Sequence, residues 1–214
     1  MTQKIILWDW DNTLVDTFNA ILSAQNVMRH TYGLPSWTKE EAKAAMNTSG
    51  RNLIKDLVGD EKAGEARAVY LKAYAQSAAE ITLKSYAIDA LEKAKSLGYI
   101  NILASNKAGS ILRNEAHTLN VDSYFDRIIG AEDTPCDKPS KSFTDSAIAG
   151  FDAEQIISIG DGKADITMGH NYTNGIGLLV WTDPTSAEFN EIKPDASFTD
   201  LQTLSGYLEK LSAK

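Results

Sequence analysis

Residues 4–14 read Lys4-Ile5-Ile6-Leu7-Trp8-Asp9-Trp10-Asp11-Asn12-Thr13-Leu14, an apolar run followed directly by a polar turn. A short run of aliphatic and aromatic side chains that ends in such a turn is typical of a buried parallel strand. Open α/β sheets bind their ligands at the carboxyl ends of such strands. The stretch therefore predicts an α/β fold with a functional site that begins at Asp9.

Two carboxylates stand at the end of this predicted strand, Asp9 and Asp11. One is available to attack a substrate while the other moves protons, and their combined negative charge favours a hard cation bound through oxygen, namely Mg²⁺. Thr13 and the backbone amides of the turn are candidates for holding a phosphate. A plain turn is the alternative interpretation, because Asp and Asn are common turn residues.

The composition limits the classes of protein to consider. A chain of 214 residues with 43% hydrophobic residues is long enough for one large core, or for a core domain with a smaller inserted one. A net charge of -8 and the lack of any Lys/Arg block disfavour nucleic-acid binding but leave room for a small anionic substrate. The single cysteine, Cys136, excludes an intrachain disulfide and a cysteine-based zinc cluster.

The apolar segments are short throughout. None approaches the ~18 residues of a membrane span, and the four residues before the first apolar run are too few for a signal peptide. We therefore expect a cytoplasmic protein without a membrane partner, present as a monomer or a weak homodimer.

The pattern of elements changes along the chain. Four helical periods follow one another between residues 16 and 82 with no strand among them. After residue 83, short apolar strands alternate with helices, which is typical of βαβ units and a parallel sheet. We therefore expect a doubly wound parallel α/β core formed by residues 1–15 and 83–214, with a smaller helical domain, residues 16–82, inserted into it.

Polar clusters follow the first, second and fourth predicted strands of the core, and another opens a helix between the third and the fourth. Besides the cluster at Asp9, these polar clusters are Ser105-Asn106-Lys107, Lys138 with Pro139, and Gly160-Asp161 with Asp165. Because parallel strands present their carboxyl ends at one edge of the sheet, we expect these widely separated residues to share a site.

The order and spacing of these clusters resemble the four signatures of the haloacid dehalogenase-like (HAD) hydrolase superfamily, the first of which is Asp-x-Asp-x-Thr. The resemblance implies that Asp9 is the nucleophile and Asp11 the general acid and base. It also implies that Ser105 and Lys138 contact the phosphoryl group. The inserted helices are similar to the cap of the phosphoglycolate phosphatase-like and β-phosphoglucomutase-like members.

The resemblance also implies a metal site for Mg²⁺. In that family the ion lies between the carboxylate of Asp9, the backbone carbonyl of Asp11 and Asp161, and Asp165 binds it or supports it from nearby. The implied activity is Mg²⁺-dependent hydrolysis of a small phosphomonoester metabolite through an aspartyl-phosphate intermediate, as in phosphoglycolate phosphatases.

Other activities on this fold stay open. Dehalogenation is disfavoured, because the family's dehalogenases do not use an acid at the position of Asp11, whereas phosphatases and phosphomutases do. A β-phosphoglucomutase-like phosphomutase is the first alternative. A non-catalytic ligand-binding or regulatory protein on the same fold is the second.

Substrate contacts beyond Thr13 are predicted at Arg51, Asn106 and Lys107. Arg51, in the segment 49–52 between two cap helices, could pair with a carboxylate or a second phosphate of the substrate. A solvated arginine is an equally good interpretation of this residue. Trp10 is bulkier than the residue usual between the two aspartates, and it either lines the pocket or packs in the core.

Overall fold

The computed structural model describes residues 3–46 and 50–213. The chain forms two compact units, of which the larger contains Met1–Leu14 and Leu83–Lys214 and the smaller contains Val15–Thr82. Among the described residues, no helix combines the length and the apolar composition that a membrane span requires.

Eight strands and nine α-helices lie in the described part of the chain. The strands are β1 Gln3–Trp8, β2 Val15–Asp16, β3 Thr82–Leu83, β4 Ile100–Ala104, β5 Arg127–Ile129, β6 Ala153–Gly160, β7 Gly175–Val180 and β8 Ala196–Phe198. The helices are α1 Phe18–Thr31, α2 Lys39–Met46, α3 Gly50–Val58, α4 Asp60–Ser77, α5 Ala87–Ser96, α6 Gly109–Thr118, α7 Lys141–Ile148, α8 Lys163–His170 and α9 Leu201–Ser212.

The larger unit is built on a six-stranded sheet in the order β5-β4-β1-β6-β7-β8. All five neighbouring pairs are parallel. The chain moves outward from β1 to β4 and β5, and then returns to β6 on the other side of β1. This confirms the predicted doubly wound α/β fold, and it makes the carboxyl end of β1 a topological switch point, where such sheets bind ligands.

The register of the central strands brings their carboxyl ends to the same level. Trp8 in β1 is level with Leu103 in β4 and with Ile159 in β6. The amide of Asp9 then donates a hydrogen bond of 2.9 Å to the carbonyl of Ile159. The polar residues that follow β1, β4 and β6 therefore begin at one edge of the sheet.

The strands at the centre of the sheet are buried on both faces, as expected for a parallel sheet covered by helices. Residues 5–8 of β1 are fully buried. A core cluster consists of Ile5, Leu7, Ile102, Ala104, Ile129, Phe143, Ala147, Ile156 and Met168. Burial of this apolar surface holds β1 rigidly, so the residues directly after it have a firm base.

The smaller unit contains helices α1 to α4. Its core is formed by Met28 of α1, Ile54 of α3 and Ala66 of α4, with further side chains packed around them, Tyr32, Leu57, Val58, Val69 and Tyr70. The helices therefore have an apolar core of their own. The function of this unit as a cap stays a prediction.

Candidate active site

Lys138 is the centre of the cluster at the carboxyl ends of β1, β4 and β6. Its Nζ donates hydrogen bonds to Asp9 Oδ1 at 2.6 Å, to Asp165 Oδ1 at 2.7 Å and to the carbonyl of Ala104 at 2.9 Å. These three bonds use all three donors of the ammonium group. Burial opposes its positive charge, but the carboxylates of Asp165 and Asp9 outweigh this effect and raise the pKa of Lys138.

Asp9 is buried directly after β1 and has a partner on each carboxylate oxygen. Besides the bond from Lys138, its Oδ2 accepts a hydrogen bond of 2.9 Å from the hydroxyl of Thr13. Burial raises the pKa of Asp9 to about 7, and Asp165 and Asp11 add to this rise while Lys138 opposes it. The positive charge of Lys138 therefore favours the ionised form of Asp9.

Asp9, Asp161 and Asp165 form a group with the geometry of a metal site. Each offers a carboxylate oxygen, and these oxygens lie within 4.8 Å of one another. Burial, together with the charges of Asp9 and Asp165, raises the pKa of Asp161 well above its ordinary value. A hard cation would relieve this crowding of negative charge, and carboxylate oxygens are suitable ligands for one. The residues present therefore fit a divalent cation.

Within this group of three carboxylates, Asp165 accepts hydrogen bonds from other residues on both of its oxygens. Its Oδ1 accepts from Lys138, and its Oδ2 accepts from the amide of Gly162 at 3.3 Å. It packs directly on Gly160, where a Cβ atom would lie 2.0 Å from the Asp165 carboxyl carbon. Only glycine at position 160 allows this approach.

The segment after β4, residues 105–107, forms hydrogen bonds with the backbone of Lys138. Ser105 is buried, and its Oγ accepts a hydrogen bond of 3.1 Å from the amide of Lys107. The side chain of Asn106 accepts from the Lys138 amide at 2.8 Å and donates to the Lys138 carbonyl at 3.2 Å. The structure thus places Asn106 on the backbone of Lys138, and its predicted contact with substrate stays a prediction.

A second group of charges lies around Asp11. The Nζ of Lys107 forms ion pairs with Asp11 Oδ1 at 2.7 Å and with Glu115 Oε2 at 2.8 Å. The same Glu115 oxygen accepts a hydrogen bond of 2.7 Å from Nε1 of Trp10. Trp10 is fully buried and therefore packs in the core, with its polar atom bonded.

The sequence-based prediction did not include Glu115, although a signal was present. Leu112, Glu115 and Ala116 are the buried residues of α6 beside Gly109, so a charged residue occupies an otherwise apolar stripe. Glutamate is almost never fully buried unless it is paired. Its position in the helical period was the observation that could have identified it.

Two residues after β7 also support the site, and nothing in the sequence indicated them. Nε1 of Trp181 donates to the carbonyl of Thr13 at 3.0 Å, and the hydroxyl of Thr182 donates to the carbonyl of Asp161 at 2.7 Å. The loops after β1 and β6 are therefore both held from the end of β7.

Two further residues are Asn12, in the turn after β1, and Arg51, in the smaller unit. Asn12 has a φ of 62°, in the left-handed region that Asn tolerates better than most residues. Arg51 lies in α3, and its side chain is outside the described residues. Its predicted contact with substrate stays a prediction.

Known proteins resemble this chain in sequence and in structure. The sequence profile of the haloacid dehalogenase-like hydrolases matches residues 6–176. The phosphoglycolate phosphatase of Aquifex aeolicus is 27% identical over 181 residues, which are 83% of this chain and 85% of that protein. Phosphoglycolate phosphatase 1 of Pseudomonas aeruginosa is 25% identical over 174 residues, which are 76% of this chain but only 64% of that protein.

A solved structure has the same fold over almost its whole length. It is a haloacid dehalogenase-like family hydrolase from Streptococcus pneumoniae, with a TM-score of 0.81 and 24% sequence identity, covering 96% of this chain and 98% of that one. The profile match includes the second half of β1 with Asp9, the segment after β4, and β6 with Asp161 and Asp165. The chain therefore belongs to the haloacid dehalogenase-like hydrolase family.

Proposed function

We propose that this hydrolase is a Mg²⁺-dependent phosphatase that acts on a small phosphomonoester metabolite, as its phosphoglycolate phosphatase relatives are named to do. The observation that carries the proposal is the position of the Lys138 ammonium between Asp9 and Asp165, beside Asp161. This arrangement combines a buried carboxylate nucleophile with the cationic group that a phosphoryl oxygen requires.

The proposed reaction has two steps. In the first, an oxygen of Asp9 attacks phosphorus, the bond to the leaving oxygen breaks, and Asp11 gives that oxygen a proton as it takes the electron pair. In the second, Asp11 takes a proton from water, which attacks phosphorus and releases phosphate from Asp9. The carboxylate of Asp9 and the proton on Asp11 are then restored.

Charge on the transferring group requires positive partners. Lys138 and the hydroxyl of Ser105 are proposed to bind its oxygens. Asp9, Asp161 and the carbonyl of Asp11 would hold Mg²⁺, supported by Asp165, and the ion would supply neutralisation of phosphoryl charge. Thr13 keeps the Asp9 carboxylate oriented through its hydroxyl bond.

The inserted helical unit, residues 15–82, is proposed as the cap, and Arg51 as its contact with a carboxylate or second phosphate of the substrate. A guanidinium suits both groups, because it binds them through two parallel hydrogen bonds. Lys107 is held by Asp11 and Glu115, which supports a function within the site rather than in substrate selection. We propose that the protein acts in the cytoplasm.

The experiment is phosphate release from a panel of phosphorylated metabolites and p-nitrophenyl phosphate, with Mg²⁺ and with a chelator. Asp9→Asn is the test variant, and Asp89→Asn, at an exposed position of α5, is the matched control. We expect Mg²⁺-dependent release that falls by at least ~10³-fold in Asp9→Asn and is kept in Asp89→Asn.

Two results would contradict the proposal. Full activity of Asp9→Asn would exclude Asp9 as the nucleophile. No release from any compound by the wild type would favour the phosphomutase or the non-catalytic alternative, and conversion of one sugar phosphate isomer into another would identify the first of these.

A further inference from the structure

Four side chains form a continuous chain of contacts from the core to the proposed acid and base. Trp10 Nε1 donates to Glu115 Oε2, which also pairs with Lys107 Nζ, and the same Nζ contacts Asp11 Oδ1. The side chains of Lys107 and Glu115 are only 7% and 5% exposed, whereas that of Asp11 is 22% exposed. The chain of contacts therefore ends where Asp11 reaches solvent.

A contribution to stability is a weak explanation for the buried glutamate. Burying a carboxylate costs free energy, and a buried ion pair is often no more stable than well-packed apolar residues of the same volume. Glu115 also occupies a stripe of α6 that is otherwise apolar. Its two partners both lead to the turn that carries Asp11, since Trp10 is adjacent to Asp11 in sequence.

Glu115 gives Lys107 a defined position. A lysine has a flexible stem of four carbons, so each contact of its ammonium narrows the positions that the ammonium can take. The second contact with Glu115 fixes the ammonium, and Glu115 is itself fixed by the fully buried indole of Trp10. The ammonium is thus held rigidly against one oxygen of Asp11.

This contact decides which oxygen of Asp11 can carry a proton. The ammonium forms an ion pair with one oxygen at 2.7 Å and has no acceptor to offer, so its positive charge disfavours a proton on that oxygen. That oxygen is Oδ1, which is buried. A proton on Asp11 is therefore directed to Oδ2, on the exposed side of the carboxyl group.

We propose that Glu115 is a positioning residue for proton transfer, acting through Lys107 to keep Oδ2 of Asp11 as the oxygen that exchanges protons. The inference rests on the proposed phosphatase function and deepens it. When the bond between phosphorus and the leaving oxygen breaks, Oδ2 gives its proton to that oxygen. In the second step Oδ2 takes a proton from the attacking water.

The leaving group distinguishes this function from a merely structural one. An alkoxide leaves only with a proton from an acid, whereas p-nitrophenolate is stable enough to leave without one. Loss of the positioning contact should therefore lower kcat/KM, which reports the first step, much more for an alkyl phosphate than for p-nitrophenyl phosphate. General loss of folded protein would slow both reactions equally.

Glu115→Gln is the test variant. Among the described residues, no hydrogen-bond partner lies at Glu115 Oε1, so an amide NH₂ group can take its place while the amide oxygen still faces Trp10. The negative charge that holds Lys107 is lost. We expect kcat/KM for glycerol phosphate, which reports the first step, to fall by about 10-fold or more, part of the ~10²–10⁴-fold of general acid catalysis. For p-nitrophenyl phosphate kcat/KM should change less than about 3-fold. The second step is common to both substrates, so kcat can fall equally for both.

The controls separate the possible outcomes. Glu92→Gln makes the same substitution at an exposed position of α5 and should leave both rates unchanged. Trp10→Phe, which removes only the donor and part of the ring, is a second test and should shift the ratio of the two rates in the same direction. If circular dichroism shows that Glu115→Gln is not folded, the Trp10→Phe variant provides the test.

Equal losses of kcat/KM on both substrates in Glu115→Gln and Trp10→Phe would overturn this inference and leave the proposed function intact. A wild type that hydrolyses neither substrate with Mg²⁺ would overturn the proposed function itself. A loss confined to the alkyl phosphate would support both.

Discussion

The indole Nε1 of Trp181 donates a hydrogen bond of 3.0 Å to the backbone carbonyl of Thr13, across 168 residues of sequence. Trp181 adopts a φ of 69°, which is rare for a bulky residue and costs free energy. The next residue, Thr182, donates its hydroxyl to the carbonyl of Asp161 at 2.7 Å. The end of β7 therefore holds the loop of the proposed nucleophile and the loop of a proposed metal ligand.

Thr182→Val should weaken metal binding. Valine has the shape of threonine but cannot bond the Asp161 carbonyl, so the loop that carries Asp161 is less well positioned. Loss of such a supporting bond typically lowers metal affinity by about 10–100-fold. We expect a lower Mg²⁺ affinity by about 10-fold in isothermal titration calorimetry. Thr182→Ser keeps the hydroxyl and should bind as the wild type does; equal affinities in all three proteins would contradict the prediction.

Asp161→Asn should make the metal-free protein more stable. Burial and two neighbouring carboxylates disfavour the charge of Asp161, and a neutral amide of the same size relieves this repulsion. Removing such repulsion between active-site charges typically raises the free energy of unfolding by about 1 kcal/mol. We expect a higher midpoint of thermal unfolding than the wild type in a chelator, and no further rise on adding Mg²⁺. A lower midpoint in the chelator would show that Asp161 stabilises the fold, contrary to the prediction.

The Arg113–Asp133 pair should make stability depend on pH. Arg113 donates to both Asp133 oxygens at 2.8 and 3.1 Å. These bonds, with the amide of Gly130, hold the pKa of Asp133 below its usual value of 3.8. A carboxylate with a lowered folded pKa stabilises the protein above its unfolded pKa, and the contribution is lost as pH falls through the folded pKa.

We therefore expect Asp133→Asn to lower the free energy of unfolding at pH 7 by about 0.5–1 kcal/mol, a small value because both side chains are partly exposed. The deficit should shrink below about pH 4, where the wild-type carboxylate begins to lose its advantage. Urea unfolding of the wild type and the variant at pH 7 and below about pH 4 measures this difference in the free energy of unfolding. Asp89→Asn is the matched control, and a deficit equal at both pH values would exclude the ion pair as its cause.

Gly160→Ala should impair both stability and activity. The added Cβ would lie 2.0 Å from the carboxyl carbon of Asp165, so this side chain must move away from Lys138. Overpacking of this kind lowers the free energy of unfolding by about 1–3 kcal/mol. Gly206→Ala, on α9 with nothing within 4 Å of its Cβ, is the control and should be about 0.5–1 kcal/mol more stable than the wild type. Wild-type activity of Gly160→Ala would contradict the argument.

The elements that the sequence predicted best are those with a strong apolar pattern. The apolar run at residues 4–8 lies within β1, Gln3–Trp8, and the apolar segment 100–104 forms β4 in full. The pattern is weak in α8, whose eight residues include a glycine and form no clear apolar stripe, and in β8, which has only three residues. Short elements are stabilised by their surroundings, and their own sequence carries little of that information.

The sequence by itself determined the parallel α/β architecture and the residues that stand at its strand ends. An apolar run directly precedes each of Asp9, Ser105 and Asp161. Because parallel strands present their carboxyl ends at one edge of the sheet, this local pattern was enough to predict that the three residues lie at that edge. Lys138 follows no strand and precedes a predicted helix, so the pattern only grouped it with the other clusters, and its contact with a phosphoryl group was predicted from the resemblance to a known family.

Only the tertiary structure decided how these residues are bonded. The contact of Trp10 with Glu115 joins positions 105 residues apart, and that of Lys138 with Asp9 joins positions 129 apart. Such pairs depend on the exact approach of α6, the β7 end and the Lys138 segment to β1, which packing of the whole core sets. The position of Asp9 at a strand end could therefore be predicted from its neighbours in the chain, whereas the contacts of Glu115 and Trp181 with distant residues could not.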